Sequence, residues 1–222
     1  MFYHFNETGY PGTSDDVNDA AGNGNHSTSV GGLIQAEGIY GQGIYCDGLQ
    51  TGVNITPAIF DSAFSERTIS VWFRAETTEG IRYIYEEGGT VNGIVIYIQD
   101  GILYGGTYKA NGGDYNIYIP YNVDANSWYH VVITFHTTNG FNLFINGNHV
   151  DGPYPLGLDM PSHSNDNGLC FQNDDSRRHT GVDNQAGGQF NYFKGVLDEI
   201  GVWNRTLTDA EILNLYHRQG RL

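Results

Sequence analysis

A chain of 222 residues with a formal net charge of −15 and 10 Lys and Arg has the wrong surface for nucleic acid or anionic membranes. With 39% hydrophobic residues it is not a disordered segment, and no apolar run approaches the length of a membrane span. The 31 glycines and 16 tyrosines, with 16% charged residues, favour short strands joined by turns, and no linker-like stretch divides residues 1–222 into two domains.

The first predicted strand is FYHF, residues 2–5, followed by a long polar loop, NETGYPGTSDDVNDAAGNGNHST; loops of that length are commonly functional or ligand-stabilised. Residues 1–12 have neither a basic start nor an apolar stretch, so they do not read as a secretion signal. The expectation is a segment taken from a longer secreted protein, with Met1 added. GIYCDG and TGVNI follow as short strands. In RTISVWFRAE, alternation puts Ile69, Val71 and Phe73 on one face and Thr68, Ser70, Trp72 and Arg74 on the other. QDG, TNG and NGN each sit between apolar runs and predict hairpin turns. Roughly a dozen strands at this spacing point to a sandwich or barrel. Near the end, TDAE is a capping box, Thr208 to Glu211, opening a helix with an apolar stripe of Ile212, Leu215 and Tyr216 and a stop at Gly220. Cys46 and Cys170 each lie in an apolar run, compatible with one disulfide or with two buried thiols.

Four of these segments together resemble the laminin G-like, concanavalin A-like lectin/glucanase jelly-roll family. They are the opening FYHFNE…DAAGNGNHST, the Trp strand RTISVWFRAE, the strand and hairpin SWYHVVITFHTTNGFNLFINGNHVD, and the closing FKGVLDEIGVWNRTLTDAEILNLY. They run from residue 2 to residue 216, and a long 159–192 segment departs from the pattern. The resemblance implies an all-β fold of two antiparallel sheets, one concave, with one short C-terminal helix. It also implies an extracellular or cell-surface role in recognition or adhesion, often on glycans, as a module beside other domains. Fold alone does not fix the ligand.

Read as a regular strand, KGVLDEIGVW puts Val196, Asp198, Ile200 and Val202 on one face and Leu197, Glu199, Gly201 and Trp203 on the other. A carboxylate among aliphatic side chains needs a compensating partner. Cations are scarce in this chain, whereas calcium accepts carboxylate, amide and carbonyl oxygens. The NDAAGNGN loop offers Asp19, Asn23 and Asn25. The resemblance implies a structural calcium between the early loop and Asp198, mapping Asp19 onto the family's loop Asp, with a carbonyl near Gly48 as a further ligand. The alternative is an Asp198 held by backbone amides or at a wet strand edge.

Sugars are commonly gripped by aromatic faces with polar side chains at the rim. YGGTYKANGGDYNIYIPY contains Tyr104, Tyr108, Tyr115, Tyr118 and Tyr121. Tyr115 and Tyr121 share strand parity and Tyr118 does not, and the expected ligand contacts are Tyr108, Tyr115 and Tyr121. Asp174, Arg178 and His179, in the long polar loop after residue 162, complete the expected set. Catalysis is not expected: LDE and YEEGG are adjacent acids whose side chains face opposite ways, no Glu-x-Asp-x-x-Glu spacing occurs, and no His-Glu-x-x-His or nucleotide loop is present. The expected function is therefore a carbohydrate-binding or adhesion module of a larger secreted, bacterial protein. The competing readings are a polysaccharide hydrolase or lyase, and a protein-binding spacer.

Overall fold

The computed structural model describes residues 1–110, 115–163, 167–173, 176–182 and 189–219. Two antiparallel sheets dominate. The first runs, edge to edge, Asn148–Tyr154, Gly140–Ile145, Trp128–His136, Glu66–Ala75, Lys194–Trp203, Gln42–Asp47 and Ile34–Glu37, with the short Phe2–Tyr3 also paired to Lys194–Trp203. The second runs Asn116–Asn122, Ile102–Lys109, Asn92–Gln99, Ile81–Gly88, Gly168–Leu169, Gly52–Asn54 and Thr28–Val30. This is the expected jelly-roll sandwich. The QDG and NGN signals are two-residue hairpin turns, with Asp100–Gly101 and Asn146–Gly147 all at positive φ, the geometry that matches strand twist.

The inner faces meet in one large core. Ile69, Val71 and Phe73 from the first sheet pack with Ile84, Tyr85, Ile94, Ile96 and Ile98 from the second. The central strands are also buried on their outer faces, so each sheet needs a cover. For the first sheet the cover is the helix Asp209–Gln219, which brings Ile212 and Leu215, with Leu207, onto Val132 and Phe144. The Tyr216 ring stacks on Trp72 at 5.5 Å, and Trp72 in turn stacks on His130 at 5.0 Å. The capping box forms as read: Thr208 N donates to Glu211 Oε2 (2.9 Å) and Glu211 N donates to Thr208 Oγ1 (3.3 Å). Gly220 lies outside the described residues.

One expectation about faces is corrected. Asp198 pairs with Trp72 and Gly201 with Ser70, so Lys194–Trp203 carries an extra residue at a β-bulge, where Glu199 adopts φ 50°. The insertion reverses parity. Leu197, Ile200 and Val202 face the core, while Asp198 lies with Trp72 on the outer face of the first sheet. Ile200 and Val202 are therefore not its face-mates. Asp198 is nonetheless fully buried, because the Gly38–Gly41 turn folds over it. A Cβ at Gly38 would fall 2.3 Å from Asp198 Oδ2, so that close approach requires glycine.

Cys46 and Cys170 form a disulfide, deciding between the two alternatives left open. Cys46 belongs to the first sheet and Cys170 follows Gly168–Leu169 of the second, so the bond ties the layers across the core. It closes a span of 124 residues. Closing so long a loop in the unfolded chain stabilises the fold by roughly 3–5 kcal/mol. Replacing both cysteines by Ser should lower the unfolding free energy extrapolated to water by that amount and steepen the urea slope, because the unfolded chain is no longer cross-linked, as checked by equilibrium denaturation.

Candidate ligand-binding site

The outer face of the second sheet is aromatic. Tyr83, Tyr97 and Tyr104 stand in cross-strand register, with ring centroids 5.3 Å and 5.1 Å apart and nearly parallel planes. Tyr118 lies across Gly106, where a Cβ would come within 2.4 Å of the ring. Rings on both faces of one sheet are a direct result of this segment's composition: the odd-even alternation that sends Ile94, Ile96 and Ile98 inward sends Val95 and Tyr97 outward.

Part of this face is covered by the segment following Cys170. Arg177–Arg178 pairs with Gly181–Val182 as a small ribbon, pinned by Arg177 Nε donating to Thr90 O (2.6 Å) and Arg178 Nη1 donating to Gln99 Oε1 (3.2 Å). His179 caps the tyrosine row. Its ring stacks on Tyr104 at 4.2 Å and 13°, its backbone N–H donates to Tyr97 Oη (3.1 Å), and its Nδ1 lies 2.7 Å from the same oxygen. Partial burial, with the Arg178 charge beside it, holds the His179 imidazole below its usual pKa. His179 is exposed and Tyr104 half-buried, so the stack has an open side.

The structure thus brings Arg178 and His179 together, on Tyr97, Tyr104 and Tyr118. Of the three expected tyrosines, Tyr108 shares this outer face but is fully buried in it, and the other two face the core. Tyr108 is buried beneath, its hydroxyl donating to Gly89 O (2.7 Å). Tyr115 packs in the central core against Phe135. Tyr121 points inward against Tyr129 at the sandwich edge. The parity shared by Tyr115 and Tyr121 is the inward one, and the odd one out, Tyr118, faces outward. Asp174 lies outside the described residues. Tyr104 and Tyr97 could have been found by following the parity of Asn92–Gln99 through the QDG turn.

The expected cation ligands do not converge. Asp19 Oδ1 accepts N–H donors from Phe2 (2.8 Å) and Ala21 (3.1 Å), and Oδ2 accepts one from Asn25 (3.2 Å). Burial works to raise this carboxyl, but the three amides outweigh it and hold it below the usual carboxylate value. An oxygen pair enclosed by N–H groups is a poor cation ligand. Gly48 follows Asp47, which pairs with Lys194, so it lies about 16 Å along the strand from the level of Asp198. Asn23 and Asn25 lie on the Asp19 loop, away from the Gly38–Gly41 turn that covers Asp198. Asp198 differs from Asp19 in its balance of burial against amides. Its oxygens accept the amides of Tyr40 (3.0 Å) and Glu199 (2.8 Å), with the Ile39 amide adding a weaker pull, yet burial, with the nearby Glu199 charge, outweighs them and pushes its carboxyl up to about 7. Among the described residues no three His, Cys, Asp and Glu side chains form a metal-holding group, so further ligands there would be carbonyls or water. Glu86, Glu87 and Glu199 are all buried, with Glu87 paired to Arg67 and Glu199 to His4.

Among the described residues no helix is long and apolar enough to cross a membrane. A comparison with curated protein sequences gives no match. Solved structures are similar in fold. Domain 4 of AbnA, a GH43 extracellular arabinanase from Geobacillus stearothermophilus, in complex with arabinotriose, aligns with a TM-score of 0.68 at 17% identity, over 97% of this chain and 96% of that one. The botulinum neurotoxin serotype G binding domain aligns with a TM-score of 0.68 at 16% identity, over 95% of this chain and 50% of that one. The binding domain of botulinum neurotoxin DC in complex with SialylT gives 0.67 at 14% identity, over 91% and 48%. This chain therefore spans about half the length of the toxin domains and nearly all of the arabinanase domain. A family model matches residues 47–213, from the turn after Cys46 into the C-terminal helix, and by that match the chain belongs to the concanavalin A-like lectin/glucanases superfamily.

Proposed function

We propose that this chain is a carbohydrate-binding module of a larger secreted or cell-surface protein, holding glycan on the Tyr104–His179 stack. The open side of that stack is the observation that carries the reading. A sugar ring lays its apolar C–H face on an aromatic plane and turns its hydroxyls to polar groups at the rim. Here Tyr104 and His179 supply the plane, and Arg178 lies at the rim. Tyr97 Oη accepts the His179 amide and lies 2.7 Å from Nδ1, which leaves Nε2 as the ring nitrogen for a ligand hydroxyl. Binding without catalysis fits the site, because Glu86, Glu87 and Glu199 are enclosed and none stands free on this face. The domains of similar fold include one solved with arabinotriose and one with SialylT.

Binding to a glycan array should identify the ligand, and His179→Ala should weaken it about 30-fold, the scale of a 2 kcal/mol hot spot, at an unchanged melting temperature. Tyr104→Ala should weaken it at least as much. Retained binding in both variants would move the site elsewhere.

We further propose a structural calcium at Asp198, narrowing the expected ligand set to this residue. Without metal, a carboxyl raised to about 7 from an unfolded value near 4 binds its proton more tightly in the folded state. Its contribution to stability is then complete at acid pH and is lost as pH rises through 7, by up to about 4 kcal/mol. In chelator, wild-type protein should lose stability relative to Asp198→Asn between about pH 4 and 7. Added calcium should reverse that loss at pH 7 in the wild type and not in the variant. Identical calorimetric pH profiles for the two proteins would remove Asp198 from this role.

A further inference from the structure

A cleft lies at one end of the sandwich, lined by none of the tyrosines of the outer face. Its floor is Arg67. That side chain leaves the first sheet on the inward parity of Ile69 and Val71, and the end of the core leaves room for it. The guanidinium is buried, at 2% exposure, and its two terminal nitrogens are used: Nη1 binds Glu87 Oε1 of the second sheet and Nη2 donates to Ile59 O (3.1 Å). Glu87 is held in turn by the Tyr85 hydroxyl (2.7 Å), and the Phe64 ring lies against the guanidinium carbon at 3.7 Å. Nε is left over. It is buried and has no hydrogen-bond acceptor among the described residues. A buried guanidinium N–H without an acceptor is destabilising, a deficit that a ligand oxygen would remove.

Above Arg67 is a cleft of about 500 Å³, lined among others by Asn25, Ile59, Phe60, Trp203 and Asn204. An adjoining cavity of about 430 Å³ shares Ile59, Arg67 and Asn204 with it. The size is that of a small-ligand site. The walls are two-sided in character: Ile59, Phe60 and Trp203 are apolar or aromatic, while Asn25, Asn204 and Arg67 are polar. Neither Asn side chain makes a hydrogen bond among the described residues, so both amides are free to turn into the cleft. Asp and Glu are absent from the described lining of this cleft, although the chain carries 25 of them.

We infer that this cleft binds a neutral sugar residue, with the ring on the Trp203 and Phe60 side, its hydroxyls on the Asn25 and Asn204 amides, and one oxygen accepting from Arg67 Nε–H. It is distinct from the His179 site and does not depend on it.

The test uses the 15N-labelled protein titrated with lactose, cellobiose and arabinotriose. The expected result is that at least one sugar shifts the Trp203 indole and Arg67 Nε–H resonances. The Asn25→Ala/Asn204→Ala double variant should weaken that response about tenfold or more, the scale of one to two lost hydrogen bonds, whereas His179→Ala should leave it unchanged. Both asparagines lack described side-chain partners, so the double variant should keep the wild-type spectrum elsewhere. Three outcomes overturn the inference: no shift at Trp203 and Arg67 with any of the three sugars, shifts confined to the Tyr104–His179 face, or cleft shifts of undiminished affinity in the double variant. Loss of all binding at the tyrosine face, with the cleft response intact, would sink the first site and support the second.

Discussion

The central strands of this protein are buried on both faces, and the rest of the structure answers to that. A sandwich with one wet face per sheet needs alternating strands, but Asn92–Gln99 and Lys194–Trp203 are buried at nearly every position. Two layers cannot satisfy such strands, because each outer face would leave several aromatic or aliphatic side chains in water. The helix covers the first sheet through Ile212, Leu215 and Tyr216. The segment carrying Arg177–His179 covers part of the second. The candidate glycan platform is the open side of the Tyr104–His179 stack.

Much of this was legible in the sequence. Hairpin turns at Asp100–Gly101 and Asn146–Gly147 follow from local chemistry, since φ > 0 at both positions suits Asp, Asn and Gly. The capping box at Thr208 is equally local. The faces of Glu66–Ala75 could be read because that strand is regular. What failed depends on one residue's worth of register. The bulge at Asp198–Glu199 has no marker that alternation can detect, and it exchanges the two faces of everything after it. Tyr115 and Tyr121 failed for a related reason: periodicity says which rings share a face, and only the fold says which face is inward.

The same bulge explains why one acid of the LDE motif differs from the other. Asp198 is turned under the Gly38–Gly41 turn, into a pocket where backbone amides incompletely replace its hydration and burial pushes its carboxyl up to about 7. Glu199, one residue on, is also buried but meets His4 at 2.5 Å. Neighbouring carboxylates of similar burial thus have different partners, set by backbone geometry and not by residue type. Arg67 and Glu87 show a third solution, an ion pair between sheets that secures the Ile59 loop at the sandwich end.

The disulfide has a consequence for how the module could diversify. Cys170 is fixed covalently to the first sheet, and its carbonyl accepts the amide of Phe193 at 2.8 Å, just before the last long strand begins. The excursion from Phe171 to Tyr192 therefore leaves and rejoins the scaffold at a single locked point. Loop-closure cost rises slowly with length, so the excursion can be lengthened at small cost provided that Arg177–His179 still covers the tyrosine row. It functions as a replaceable cassette: new side chains can be presented over the same tyrosine row while the sandwich beneath retains its register.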